Sequence, residues 1–201
     1  MGRAMSRASR EITIGGATGR LRADATAPND LPPADACGHF GLRIARDGTW
    51  YYHGSPIGRK AIAKLFATVL RREDDGSYWL VTPAERGRID VDDVPFVAVA
   101  LDVRHEGGRQ QLVFTTNLVD EVAAGPEHRL WIDPGAGAEG GTPYLHVRRG
   151  LNARLSRPVY YQLADLAVVE ETGAGRGYGV WSEGVFFPLG PAPPHRDLDG
   201  I

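Results

Sequence analysis

Asp47-Gly48-Thr49-Trp50-Tyr51-Tyr52-His53-Gly54-Ser55-Pro56-Ile57-Gly58-Arg59, an amphipathic stretch, then Tyr78-Trp79-Leu80-Val81-Thr82-Pro83-Ala84-Glu85: residues 47–85 decide the fold. Residues 42–46 and 49–53 read as two strands joined by Asp47-Gly48, a hairpin with a two-residue connection. Ser55 reads as a helix cap and Pro56 as the first helical residue. Ile57, Ala61, Ile62, Leu65, Phe66, Val69 and Leu70 then recur at helical spacing and predict one broad apolar face. Residues 73–76 end that helix. Tyr78 to Thr82 is apolar on both faces, as in a central strand, and Thr82-Pro83 closes it.

Working outward, residues 1–36 have few large apolar side chains and are expected to form a disordered arm. Within it, Glu11-Ile12-Thr13-Ile14-Gly15-Gly16-Ala17-Thr18-Gly19 imitates a strand and a dinucleotide-binding glycine loop. Such a loop must open a helix, and only Leu21 is available to pack one before Pro28, so the motif is rejected. Ile89 and Val91 alternate with Asp90 and Asp92, as on a half-buried strand. Residues 96–103 and 110–116 form the clearest antiparallel pair, residues 117–125 a turn or short helix, and residues 129–133 and 144–148 two more strands. Residues 134–142 are expected to be a mobile loop. A second helix follows, capped by Ser156, with Pro158 in its first turn and Val159, Tyr160, Leu163 and Leu166 apolar. Residues 173–179 hold four glycines but precede a strand-like run, so they read as a turn and not a phosphate loop. Residues 191–201 read as a flexible tail.

The two helices align: Ile57-Gly58-Arg59 on Leu155-Ser156-Arg157, Leu65 on Leu163, and Leu70 on Val168. This suggests a duplicated strand–helix–strand unit. The alternative is that any two amphipathic helices align this well. The expected organisation is an α+β fold of two similar subdomains with mostly antiparallel sheet, over residues 37–92 and 93–190.

A formal charge of -2 over 201 residues gives no surplus of positive charge for nucleic acid. Cys37 is the only cysteine, which excludes an intramolecular disulfide and a thiolate zinc cluster. No run approaches the ~18 apolar residues of a membrane helix. The N-terminal arginines are not followed by an apolar signal segment. Met1-Gly2-Arg3-Ala4-Met5-Ser6 meets an N-myristoylation pattern formally, and a chance match is preferred. The expected location is the cytoplasm.

Arg59 carries the strongest binding signal. A cation at a helix N-terminus, beside an apolar face, opposes the dipole and implies an anionic partner. That partner is either a carboxylate such as Glu85, Asp92 or Asp93, or a ligand phosphate or carboxylate gripped bidentately. Arg157 reads the same way. Thr82, Glu85, Thr116 and Asn117 stand at strand ends, where sites collect, although each also suits a turn. Asp90, Asp92 and Asp93 look like the wet side of a strand more than hard-metal ligands. The histidines lack zinc spacing. His53-Gly54-Ser55 is not a nucleophile elbow.

These segments, with Arg43 to Arg59, Leu80 to Glu85, Val94-Pro95-Phe96, Phe114 to Asn117, Pro143 to Arg148 and Leu151 to Arg157, resemble the domain-of-unknown-function 1285 family of bacterial proteins. The resemblance covers about residues 38–170. It implies a duplicated α+β core with a C-terminal half loosely similar to pleckstrin-homology-like folds, a nucleotide-like ligand in an interdomain cleft, and a role in signalling. No catalytic role transfers. Arg59, Thr82, Glu85, Thr116, Asn117, Arg154 and Arg157 become candidate ligand-binding residues, with Trp50 to stack a base. The leading expectation is a non-enzymatic protein binding a small anion, with no cofactor, metal, DNA or membrane partner. A second reading is a protein-interaction module that offers a sheet edge or groove to a peptide, cued by Trp181, Phe186 and Phe187. A third is a hydrolase or transferase with Glu85 or an aspartate as base.

Overall fold

The computed structural model describes residues 10–14, 17–21, 37–135, 141–172 and 175–191. They divide into two compact units between Asp93 and Val94. Ahead of the first sheet, β1 (Arg10–Ile14) and β2 (Ala17–Leu21) pair antiparallel, Ile12 opposite Gly19. A second strand, and no helix, therefore follows the Gly15-Gly16 sequence. The expected disordered arm contains this hairpin, because isoleucines alternate with polar residues up to a Gly-Gly pair of the kind that closes two-residue turns. The rest of the arm, most of the 134–142 loop and the tail from residue 192 lie outside the described residues.

The first unit contains β3 (Cys37–Ile44), β4 (Trp50–Tyr52), β5 (Ser55–Pro56), α1 (Lys60–Thr68), β6 (Leu70–Arg72), β7 (Tyr78–Val81) and β8 (Arg86–Val91). Its sheet runs β5-β4-β3-β8-β7-β6, with β3 parallel to β8 and every other neighbour antiparallel. The first hairpin turns through three residues, not two. Ala45 N–H donates to Thr49 C=O and Gly48 N–H to Ala45 C=O, both at 2.9 Å, with Gly48 at φ 84°. That is a type I turn followed by a left-handed glycine.

Helix α1 departs further from expectation. Ser55 and Pro56 are strand residues, because His53 (φ 45°) and Gly54 (φ 80°) make a tight turn that folds β5 back on β4. Ile57 N–H then bonds Trp50 C=O at 2.8 Å, and the helix starts at Lys60 with Arg59 as its cap. It ends at Thr68, since Leu70 is claimed by β6 opposite Leu80. The buried face is Ala63 and Ala67, two small residues that let the helix lie close to its neighbours, while Ile62 is 37% exposed. Trp50, 2% exposed, fills the space beside Phe66 at a ring separation of 6.0 Å.

The second unit contains β9 (Phe96–Glu106), β10 (Arg109–Thr116), β11 (Glu121–Ala123), β12 (Leu130–Asp133), β13 (Thr142–Arg148) and β14 (Leu151–Leu155) in the order β11-β10-β9-β14-β13-β12. The single parallel contact of this sheet is β9 with β14. This is the topology of the first sheet, strand for strand. Even the bond that follows the parallel pair repeats: Asp92 N–H to Ile44 C=O, and Ser156 N–H to Ala98 C=O, both at 3.0 Å. The described residues are therefore mostly β with two helices, in two similar halves.

The equivalence of the two helices does not hold. α1 lies between the third and fourth strands of its sheet, whereas α2 (Arg157–Asp165) follows the sixth. Arg59 and Arg157 are thus not counterparts, because a helical apolar pattern is generic while the repeat lies in non-local strand pairing. The α2 boundaries match expectation, with Pro158 early and Val159 and Leu163 buried, although the Ser156 hydroxyl makes no cap bond.

After α2, β15 (Val168–Thr172), β16 (Gly175–Ser182) and β17 (Val185–Pro191) form a three-stranded antiparallel sheet. Most of the glycines expected to make a turn lie inside β16. At Gly179 a Cβ would stand 2.3 Å from the Phe186 ring and 2.6 Å from the Phe187 carbonyl, so only glycine admits that ring. Residues 117–125 hold β11 where a turn or short helix was expected.

Candidate functional site

The sequence-predicted residues fall in three settings. Thr82 closes the β7–β8 turn: its hydroxyl donates to Glu85 C=O at 3.0 Å and accepts Glu85 N–H at 3.1 Å. Thr116, 1% exposed, does similar work at the end of β10, accepting Asp120 N–H at 3.1 Å. Asn117 extends the sheet, accepting Val97 N–H on Oδ1 at 3.1 Å while its own N–H bonds Val97 C=O at 2.7 Å. Half-buried Arg154 pairs with Val97 from the other side of β9, so Asn117 and Arg154 flank one residue. The rings of Trp50 are covered by the core. Arg59 and Arg157 are exposed and make no ion pair among the described residues, and they belong to different units. Glu85 is half-buried.

The acidic run is a ladder of surface polar pairs, with arginine at two of them and histidine at the third. His39 meets Asp90 at 3.3 Å, Arg46 meets Asp93 at 3.7 Å, and Arg43 grips Asp92 with both Nε (2.8 Å) and a terminal nitrogen. The Arg43 hydrogen bond holds the Asp92 carboxyl below its ordinary range. His39 Nδ1 also accepts Gly41 N–H at 3.1 Å, so both ring nitrogens are engaged and no lone pair is left for general-base work. Among the described residues no group of three or more His, Cys, Asp or Glu is placed to hold a metal ion.

A concave feature lies in the second unit. Between β12 and β17 runs a groove of ≈ 610 Å³, walled by Arg129, Trp131 and Ile132 on one side and Phe186, Pro188 and Leu189 on the other. Both strands are outer strands of their sheets, and they share no ladder. The main-chain phase of β12 follows from one bond. His146 N–H donates to Arg129 C=O at 2.8 Å, which makes Trp131/Tyr144 a hydrogen-bonded pair and turns the Ile132 N–H and C=O away from β13. On β17 the Glu183-Gly184 turn (φ 49° and 77°) closes on Ser182/Val185, so the Phe186 main chain points away from β16. Each wall therefore carries a strand edge with its hydrogen-bonding groups directed outward.

The wall positions are fixed locally. Trp131 stacks on Tyr144, ring centres 5.7 Å apart, and Phe186 lies 5.3 Å from Trp181, whose indole N–H bonds Glu170. The β16–β17 hairpin is pinned to β10. Gln110 Nε2 donates to Trp181 C=O (2.7 Å), Glu183 N–H to Gln110 C=O (2.9 Å), and Gln111 Nε2 to the Glu183 carboxylate (2.6 Å). Ser182, fully buried, accepts Leu112 N–H at 2.9 Å and donates to Ala124 C=O at 2.6 Å. Arg129 is exposed at one end of the groove and forms no ion pair among the described residues.

Of the three aromatic cues, Phe186 lines the groove, Trp181 (42% exposed) backs it, and the Phe187 side chain is core at 4%. Arg129, Trp131 and Ile132 were not anticipated. Their signal was a proline just beyond or inside each strand, Pro134 and Pro188, since prolines in sheets keep to edges.

Residues 28–94 match the model described as "Domain of unknown function (DUF1285), N-terminal domain", and residues 95–189 match "Protein of unknown function (DUF1285), C-terminal domain". Their border is one residue from the division between the units. Among solved structures, a DUF1285 family protein from Silicibacter pomeroyi DSS-3 is 42% identical, with a TM-score of 0.70 over 85% of this chain and 91% of that one. A DUF1285 family protein from Shewanella baltica OS155 is 30% identical, with a TM-score of 0.48 over 62% of this chain and 91% of that one. No curated protein matches the chain.

Proposed function

The chain belongs to the DUF1285 family, and from that premise, which assigns no activity, we propose that its C-terminal unit is a peptide-binding module. The observation that carries this reading is the groove between two outward-facing strand edges. An extended peptide is the ligand that uses both features: its main chain bonds Ile132, and alternate side chains fill the apolar floor. Prolines and aliphatic residues suit Trp131 and Phe186, and a carboxylate suits Arg129. Such a module would act by recruiting a partner, in keeping with a signalling role and with a pleckstrin-homology-like use of this half.

The test is selection from a random dodecapeptide library on the immobilised full chain, followed by calorimetric titration of the enriched peptides. Sequences with apolar or proline residues at alternate positions and an acidic group at one end are expected. Trp131→Ala and Phe186→Ala should each weaken binding by at least tenfold, about the 1.4 kcal/mol or more that an aromatic anchor contributes. Failure of any peptide to enrich, or binding unchanged in both variants, would refute the reading.

A second reading rests on the exposed Arg59 and Arg157, each without an ion pair among the described residues. In that reading a small nucleotide-like anion is the ligand. A thermal-shift panel of nucleotides and phosphorylated metabolites tests it. A ligand at about 100 times its dissociation constant should stabilise by ~2.7 kcal/mol, and a shift that survives both Arg59→Ala and Arg157→Ala would exclude those side chains.

A further inference from the structure

We propose that two copies of this chain pair edge to edge through β9, antiparallel, with Val103 on the two-fold axis. β9 runs to Glu106 but is bonded to β14 only through Phe96, Val97 and Ala98. From Val99 onward, the side facing away from β10 carries no strand among the described residues. α2 follows β14 here, yet every residue from 99 to 106 except half-buried Leu101 is exposed, Val99 at 50% and Val103 at 41%. β10 opposite is buried at Leu112, Val113 and Phe114, so the exposure belongs to the open edge and not to a frayed hairpin. A long edge of this kind, with apolar residues on it, is a template for another strand.

The hairpin sets the phase of that edge. Gly107 and Gly108, at φ 58° and 78°, form a two-residue turn whose closing pair, Glu106/Arg109, is hydrogen-bonded. Counting back by alternation, Arg104 and Asp102 direct their main-chain groups to β10, while His105, Val103 and Leu101 direct theirs outward. A second copy must therefore match these three residues among themselves. Placing Val103 against Leu101 of the second copy sets Asp102 against Asp102. Placing it against His105 sets Arg104 against Arg104. Leu101 against Leu101 leaves Asp102 facing Ala100, and His105 against His105 sets Arg104 against Glu106 but runs into the Gly107-Gly108 turn within two residues, so only the His105 main chains could bond. Val103 against Val103 sets Asp102 of each copy against Arg104 of the other, two opposite-charge pairs at the close, non-hydrogen-bonded positions. Arg104 already holds Glu121 with two nitrogens, at 2.9 and 3.1 Å, and Asp102 lies 3.8 Å away on the same face. The guanidinium has five donors, so it can hold Glu121 and the Asp102 of the second copy together. Charge and ladder length together select one of the registers that the hydrogen bonds allow.

Sedimentation velocity of the full chain over a concentration series tests the association, and a monomer at every concentration overturns it. The register is read by cross-linking. In a Cys37→Ser background, Val103→Cys places two thiols across the axis and should be joined by a short bis-maleimide. Leu101→Cys separates them by about four residues of strand, roughly 14 Å, and should not. Cross-linking at 101 and not at 103 overturns the register. Asp102→Arg should raise the dimer dissociation constant about tenfold by setting arginine against arginine, and adding Arg104→Asp should reverse the change. An unchanged dissociation constant in Asp102→Arg counts against the proposal. Val103→Pro removes a donor that faces only the second copy, so it should abolish the dimer while the thermal midpoint of the monomer stays within a few degrees.

Discussion

Replacing Ser182 by alanine removes one oxygen, and the structure gives that oxygen two buried partners. Its hydroxyl accepts Leu112 N–H and donates to Ala124 C=O. Both partners belong to residues with no exposed surface, as does Ser182 itself. The space vacated by one oxygen is smaller than a water molecule requires, so no solvent replaces the hydroxyl. Each main-chain group left unsatisfied costs about 1–3 kcal/mol, which gives about 2–5 kcal/mol for Ser182→Ala when some relaxation is allowed. The assay is urea unfolding of the full chain followed by tryptophan fluorescence, because Trp131 and Trp181 flank this region. Ser156→Ala is the internal control: the Ser156 side chain makes no cap bond, so its loss should cost under about 0.5 kcal/mol. A Ser182→Ala loss as small as the control's would refute the assignment of Ser182 as the clasp holding the β16–β17 hairpin on β10.

Trp50→Phe should cost under about 1.5 kcal/mol, because the buried indole N–H has no hydrogen-bond partner to lose, whereas Trp50→Ala should cost about 3–5 kcal/mol; urea titration separates them. Asp92 carries a folded-state carboxyl lowered by Arg43, so its contribution is present above the unfolded carboxylate value of roughly 3.9 and is lost as the pH falls through the folded one. The stability gap between wild type and Asp92→Asn should accordingly be flat near neutrality and close at acid pH, and a gap that widens on acidification contradicts the sign. Gly179→Ala should destabilise the second unit and displace Phe186, since the new methyl would meet that ring, and a peptide selected on the wild type should then bind more weakly by calorimetry.

Local pattern carried much of the fold. The strand-like runs 96–103 and 110–116 sufficed for the β9–β10 hairpin, although its strands continue to Glu106 and Arg109 and leave only Gly107-Gly108 as the turn, and Pro158 with Val159 and Leu163 sufficed for α2. The failures share one cause. Ser55-Pro56 satisfies helix-start chemistry, but Tyr52-His53-Gly54-Ser55 also makes a tight turn, and pairing with β4 decided between them. Leu70 continues the helical spacing, but Leu80 claims it for the sheet. The repeat was visible as a duplication and was placed on the helices, because the order β11-β10-β9-β14-β13-β12 is a set of distant pairings that no window of sequence contains. The candidate site divided in the same way. Thr82, Thr116 and Asn117 were recognised as polar strand ends; Thr82 and Thr116 bond the turns they close, and Asn117 bonds Val97 of the neighbouring strand. Trp131 and Ile132 went unnoticed because a groove between edges of two sheets exists only after both sheets have formed.

The most direct test of the peptide-binding account is amide mapping by NMR, in which the best library-selected peptide is titrated into the isotopically labelled full chain. The account predicts that the Ile132 and Phe186 amides shift and gain protection from exchange, with the Arg129 side chain and Trp131 indole signals moving alongside them. Perturbations confined to the first unit, or absent from both Ile132 and Phe186, would contradict it.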